Sequence, residues 1–378
     1  MVNPLVPGQR FKTHGLVPPI IAETQFRVWK TGRLNRITDL AAKGSDPDVG
    51  LIRSIDRFGL WFVWHWLSVQ VKGLDSKPIG GGVSIDMVGE KNFEDRYWES
   101  EDGLKLHYRD YPGDHGKLPI VCIPGLTRNA RDFANLPALL QQKPGHRPRR
   151  TIMVDLRGRG ESEYAKDSST YNAKTYMADI IRLLDEQDIN SAVFFGTSLG
   201  GIVTMLLARK HGDRVGGALL NDIGPELDSA GLQRIGDYVG QGRSFETWAH
   251  AGRDLAATSG DIFPDFDLQD WIDFAKKVYR MNSSGRIKLD YDMKISEPFN
   301  SQGDGSKALW DAVETMKSIP TLIVRGELSD LFSEGTASRM LGILNQGEMA
   351  TVPRTGHAPT LEEPAALDAI AAMLQRID

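Results

Sequence analysis

From about Phe93 onward, short β-rich apolar runs alternate with longer stretches of helical periodicity, the pattern of strands buried between layers of helices. The opening pair, DRYWES and LKLHYRDY, is joined by turn residues Asp102 and Gly103, which predicts antiparallel partners. LPIVCIPG follows, then a helix near Asn129 to Gln141, the strand TIMVDLRG and a helix near Tyr171 to Gln187. SAVFFG leads into a helix beginning at Ser198, and GGALLND ends at Asp222. The chain closes with PTLIVRG, a helix near Ser333 to Leu344, EMATVPR and a helix from about Glu362. These runs predict an α/β fold on a mostly parallel eight-stranded sheet flanked by helices. Between Asp222 and Pro320 the alternation gives way to helical patterns such as FETWAHAGRDLAAT and LQDWIDFAKKVYRM.

The N-terminal region has a different pattern. Leu51, Ile55, Phe58, Phe62 and Trp66 recur at helical spacing, and beyond Gly59 the segment is apolar nearly all round. Such a helix has to bury itself. It can dock on the body of the protein or on a second subunit. Alternatively it can insert shallowly into a membrane interface, as Trp61, Trp64 and Trp66 and the upstream Arg27, Lys30, Arg33 and Arg36 would suit. The glycines of KPIGGG, Lys77 to Gly82, make a connector. The expected organisation is a helical extension over 1–76, a linker over 77–92, a core over 93–224 and 318–378, and a helical insertion over 225–317.

Charge follows the same boundary. Residues 1–76 hold ten Lys and Arg against six Asp and Glu, a net of +4, so a total of −5 leaves −9 for the remainder. That balance offers nucleic acid no overall attraction, and HRPRR, His146 to Arg150, lacks interleaved aromatics and reads as a solvated edge. The single cysteine, Cys122, lies within an apolar run and reads as core packing. Prolines and a glycine interrupt the first residues where a secretory signal needs a continuous apolar stretch, and no window is long and apolar enough to span a bilayer. A cytoplasmic protein is expected, with membrane association or self-association through residues 1–76 left open.

The chemistry begins at FFGTSLGG. Gly196, Thr197, Ser198, Leu199 and Gly200 form a GxSxG string between a strand of Val and Phe and a helix rich in Leu, Val and Met. Small residues two before and two after the serine permit a sharp turn that presents its hydroxyl at a helix N-terminus, where free amides favour developing negative charge. A serine hydroxyl is a weak nucleophile until an imidazole takes its proton and a carboxylate fixes the imidazole's tautomer. His357, in a Gly-His pair just after the final strand, is the candidate base.

Together with this elbow, IPGLTRNARDF, VDLRGRGES, VRGELSD and PRTGHAPTLEEP, in that order, resemble segments of the α/β-hydrolase superfamily's esterase-like branch. The resemblance runs from about Phe93 to Asp378 and covers nothing before residue 90. It implies a triad in the order Ser198, Asp330, His357, with Asp330 as the acid because it follows TLIVRG by a short loop. Glu327 lies close to it, and Asp222 is a rival, since some members draw the acid from the earlier strand. It also implies oxyanion-binding amides at Leu199 and Leu126, and a helical cap in the insertion. Pro124, Gly125 and Leu126 replace the HGGG form of many lipases, which argues against bulky tertiary-alcohol esters. Arg128 reads as a solvated loop arginine, with a place in the pocket lining as the alternative, and VDLRGRGES as scaffolding near the site. Within the insertion, Trp248, Trp271, Phe274 and Tyr279 suit either an acyl pocket or the cap's own core.

No HExxH pair, no clustered Cys and His, and no GxxxxGK[ST] loop appears, so neither a metal nor another cofactor is expected. The expected activity is hydrolysis of a carboxylic ester of a small to medium hydrophobic or aromatic molecule. Carbon-carbon bond hydrolysis and lactonase chemistry use the same triad and remain alternatives.

Overall fold

The computed structural model describes residues 92–300 and 305–377. By internal contacts the chain divides at Met87, and the calls on a helical extension over 1–76 and most of the linker over 77–92 lie outside the described residues.

The main sheet holds eight strands: β1 (Glu94–Glu99), β2 (Lys105–Tyr111), β3 (Ile120–Ile123), β4 (Thr151–Val154), β5 (Ala192–Thr197), β6 (Val215–Asn221), β10 (Thr321–Gly326) and β11 (Gly347–Val352). Their order is β1-β2-β4-β3-β5-β6-β10-β11, with β2 antiparallel to both neighbours and the remaining pairs parallel. Central strands such as IVCI and TIMV are buried at every position, because helices cover both faces and neither face meets water. One face packs Ile123, Val154 and Phe194, and the other Cys122, Met153 and Phe195, so the two-residue alternation of each strand feeds two separate cores. Each such fully buried apolar side chain contributes roughly 1.5–3 kcal/mol.

The covering helices are α1 (Leu136–Gln141), α2 (Ala173–Glu186), α3 (Leu199–Lys210), α9 (Glu334–Ile343) and α10 (Pro364–Ile377). Their starts follow their caps: Asn172 accepts the Thr175 N–H ahead of α2, and Ser333 that of Thr336 ahead of α9. The helix expected over 129–141 is instead a 3-10 turn, Ala130–Phe133, followed by α1, since a proline inside the helix start allows a new first turn but not an uninterrupted one.

Between β6 and β10 the chain forms α4 (Ser229–Tyr238), α5 (Trp248–Ser259), α6 (Leu268–Val278), α7 (Ser296–Asn300) and α8 (Ser306–Thr315). It also builds a small antiparallel sheet in the order β7-β9-β8, from β7 (Ser244–Phe245), β8 (Tyr279–Met281) and β9 (Ile287–Leu289). The helical reading of 225–317 did not include this sheet. The helical pattern of LQDWIDFAKKVYRM stops at Val278 because the β-favouring Tyr279 pairs with Leu289. Phe263, Phe266, Trp271 and Phe274 form a separate aromatic core, with Phe263 and Phe266 stacked at 4.5 Å. By contrast α8, expected inside the insertion, buries Leu309, Ala312 and Val313 in the same core as Val203 and Leu207 of α3 and so covers the main sheet.

VDLRGRGES is scaffolding, as read. Arg157 is buried and binds Asp179 through Nε at 2.8 Å and Nη2 at 2.7 Å, and reaches Asp102 through Nη1 at 2.8 Å. Asp155, also buried, accepts the Ala130 N–H at 2.7 Å and contacts His107 Nδ1 at 2.7 Å, while His107 Nε2 lies 3.0 Å from Asp95. Burial opposes a charge on His107, yet Asp155 and Asp95 outweigh it and raise its pKa.

Replacing Arg157 by Met leaves the buried Asp179 carboxylate unpaired, with an expected loss of about 3–5 kcal/mol in denaturant unfolding, and adding Asp179→Leu restores much of it. Because the His107 pKa is raised on folding, its stabilisation is complete below its unfolded value of 6.5 and is lost as pH rises through the folded value. The stability difference between the native protein and His107→Gln therefore shrinks with rising pH; a difference that grows would contradict a charged His107.

Candidate active site

The site is assembled at the carboxyl ends of β5 and β6. Thr197 pairs with Asn221 at the last rung between these parallel strands, so Ser198 and Asp222, the next residue of each chain, leave the sheet side by side. The Ser198 N–H donates to the Asn221 carbonyl at 3.0 Å. Ser198 then turns with φ 51° and ψ −116° before α3 begins at Leu199. A backbone in this region is strained for any residue with a side chain and persists where its surroundings hold it. Flanking glycines are obligatory: a Cβ on Gly196 would lie 2.4 Å from the Gly200 carbonyl oxygen, and one on Gly200 only 2.0 Å from that of Ile123.

His357, in the loop after β11, brings Nε2 to 3.0 Å from Ser198 Oγ. Its Nδ1 lies 2.8 Å from Asp222 Oδ2. Asp222 is fully buried and in the left-handed region, φ 54°, which swings its carboxylate toward the histidine. That carboxylate also accepts the Gly326 N–H at 2.8 Å and the Ser329 hydroxyl at 2.6 Å.

The acid expected from the sequence is therefore corrected. Asp330 does not meet His357; it accepts two hydrogen bonds from Arg234, Nε at 2.6 Å and Nη2 at 2.7 Å, and Arg234 holds its carboxyl below the usual carboxylate range. The physical reason is adjacency. β6 is the direct neighbour of the strand that carries Ser198, β10 lies one strand further out, and an arginine from α4 takes the Asp330 carboxylate. Glu327, the other nearby carboxylate, accepts the Arg354 N–H instead.

The loop after β3 packs against the serine: a Cβ on Gly125 would lie 3.7 Å from that of Ser198. Leu126 follows, its carbonyl pinned at 2.6 Å by Nε of the buried Arg159. Leu199, as the first residue of α3, has an N–H with no acceptor inside the helix. Two supporting residues, Asn221 and Ser329, escaped the sequence reading. Asn221 donates through Nδ2 to Thr197 Oγ1 at 3.1 Å and to the Pro359 carbonyl at 2.8 Å, tying the histidine loop to the elbow. Ser329 is the other, and of the two only Asn221, placed before a candidate acid, left any sequence signal; Arg159 belongs to VDLRGRGES, read as scaffolding near the site.

A cavity of about 450 Å³ opens over Ser198 and His357, roofed by residues of α4, α5 and α6. Phe274 and Tyr279 line it, whereas Trp271 is buried in the aromatic core beside it. Arg128, expected in solvent, lines it too. Cys122 is buried, and burial pushes its thiol pKa up, as core packing predicts. Among the described residues no cluster of three or more His, Cys, Asp or Glu has the makings of a metal site, and no helix is long and apolar enough to cross a membrane.

With this geometry in hand, the wider relationships are decisive: the sequence pattern of the alpha/beta hydrolase family matches residues 120–370. The chain belongs to this family. An alpha/beta hydrolase from Novosphingobium aromaticivorans, known by crystal structure, is 47% identical with a TM-score of 0.71, covering 76% of this chain and 100% of that one. The 3-hydroxybutyrate-oligomer hydrolase of Cupriavidus necator is 30% identical over 269 residues, 69% of this chain and 89% of its own length. An sn-1-specific diacylglycerol lipase of Mus musculus is 24% identical over 273 residues, 72% and 85% of the two chains. As an alpha/beta hydrolase, the protein is an enzyme of hydrolysis.

Substitution separates the two carboxylates. Asp222→Asn, which removes the partner of His357 Nδ1, is expected to lower kcat about 10,000-fold, and Asp330→Asn, which leaves the relay intact, roughly a hundredfold less. Steady-state kinetics on both variants checks this; the opposite ranking would return the acid role to Asp330.

Proposed function

We propose that this hydrolase cleaves a carboxylic ester of a small to medium substrate through an acyl-enzyme, with Ser198 as nucleophile, His357 as general base and Asp222 as the orienting acid. The observation that carries the reading is the unbroken line from Ser198 Oγ to His357 Nε2 at 3.0 Å and from His357 Nδ1 to Asp222 at 2.8 Å, opening onto a cavity of about 450 Å³. The ester chemistry of the two relatives, one acting on hydroxybutyrate oligomers and one on diacylglycerol, supports it.

The chemistry follows from the geometry. Ser198 Oγ forms a bond to the ester carbonyl carbon as its proton passes to His357 Nε2, and the carbonyl π electrons become an oxyanion. The amides of Leu199 and Leu126 are assigned to that oxyanion, each donor of this kind being worth about a hundred- to a thousandfold in kcat. Collapse breaks the bond to the alkoxy oxygen, which leaves as an alcohol carrying the proton from His357. Water then repeats the sequence on the acyl-enzyme: His357 takes its proton, hydroxyl attacks the carbonyl, and Ser198 leaves with that proton, releasing the acid. Throughout, Asp222 holds Nδ1 protonated and stabilises the imidazolium without itself accepting the proton.

A fluorophosphonate probe should label Ser198, and Ser198→Ala should abolish labelling and lower hydrolysis of 4-nitrophenyl butyrate by about a thousandfold or more. Undiminished hydrolysis by Ser198→Ala would overturn the assignment, and mass spectrometry of the labelled peptide reads the site directly.

A further inference from the structure

The cavity over Ser198 is more cationic than a pocket for plain hydrocarbon chains requires. Arg128, Arg234, Arg243 and Lys277 line it, against the carboxylates of Asp132 and Asp237. Two of these cations are arginines held by carboxylates in well-defined geometry, Arg128 and Arg234. Arg128 stands two residues past Leu126, its Cγ 3.5 Å from where a Cβ on Gly125 would lie, a position itself 3.7 Å from the Ser198 Cβ. Its Nε and Nη2 are held by Asp132 at 2.8 and 2.5 Å, and the guanidinium stacks over the Phe274 ring with its centre 4.4 Å from the centroid. Arg234, also part of the lining, is held in the same way by Asp330, which is not. Among the described residues, Nη1 of each arginine has no hydrogen-bond partner.

Tyr238, one helical turn beyond Arg234, lines the cavity with them. Its side chain is 37% exposed; loss of hydration within the wall raises the phenol's pKa, and Arg234, Arg128 and a hydrogen bond with the Thr127 side chain, in that order, draw it back. Arg234, Arg128, Thr127 and Tyr238 all line the same cavity, Thr127 and Arg128 in the loop that carries Leu126. Guanidiniums fixed on one edge by a protein carboxylate keep the other edge oriented, so a ligand need not order them.

We propose that Arg128 and Arg234 form a carboxylate-binding subsite, and that the substrate is an ester bearing a free carboxylate a few bonds from the scissile carbonyl. This rests on Ser198 being the nucleophile toward an ester. Asp330 becomes a positioning residue that holds Arg234.

The test compares monomethyl glutarate with its neutral isostere methyl glutaramate and with methyl hexanoate, following acid release by pH-stat, in the native protein, Arg128→Gln and Arg234→Gln, with circular dichroism to verify folding. The native enzyme should favour the anionic ester by about tenfold or more in kcat/KM, and the ratio should fall toward one in each variant, chiefly through KM. Added salt should narrow the ratio. Separately from turnover, free glutarate should slow fluorophosphonate labelling of Ser198 in the native enzyme and lose that protection in the variants. Equal rates on anionic and neutral esters, with no protection by glutarate, would overturn the subsite and leave the ester reading standing. Protection by glutarate without hydrolysis of any of the three esters would overturn the ester reading and uphold the subsite.

Discussion

The last rung between β5 and β6 is the constraint on which the rest of the site depends. Pairing Thr197 with Asn221 delivers Ser198 and Asp222 side by side at the carboxyl ends of the strands, and the hydrogen bond from Ser198 N–H to the Asn221 carbonyl locks the strained elbow to the neighbouring strand. A one-residue slip between these strands would turn both side chains to the opposite face. Fully buried strands on either side prevent such a slip, because each core face accepts only one alternation of side chains. The strain at Ser198 is thereby carried by the packing of the sheet rather than by the loop itself.

Around that rung the polar groups form a connected support. Asn221 joins the elbow to the histidine loop, Ser329 and Gly326 hold Asp222 from β10, and Arg159 pins the carbonyl of Leu126 from below. Asp155 joins the turn that follows the Leu126 loop to β2 through Ala130 and His107. The insertion is fastened to the same region, since Arg131 reaches the buried Asp290 at 2.7 Å and Asn129 donates to the Lys277 carbonyl at 2.9 Å. The cavity wall and the groups of Ser198, His357 and Asp222 are therefore held by one network, and the cations of that wall are each oriented by a carboxylate of their own.

The exchange of roles between Asp222 and Asp330 links these layers. Asp330 stands where the resemblance to the family places an acid, yet its carboxylate serves Arg234 on α4 and so shapes the cavity rather than the relay. Asp222, buried, left-handed in its backbone and satisfied by three partners, has the fixed orientation that an imidazole needs from its acid. A carboxylate held by an arginine at the cavity and one held against the histidine are chemically alike in sequence; their neighbours make them different.

The succession of strands along the chain, the elbow at Ser198 and the histidine at His357 were legible in the sequence, because each depends on local facts: short β-rich apolar runs, small residues two before and two after the serine, and a Gly-His pair after a strand. The small sheet of β7, β8 and β9, the covering role of α8 and the turn of Arg128 into the cavity were not, because each follows from contacts between residues far apart in the chain. The same holds for the acid. Sequence offers both Asp222 and Asp330 at strand ends, and only the neighbour relation of β5, β6 and β10, together with an arginine from a distant helix, decides which carboxylate reaches the histidine.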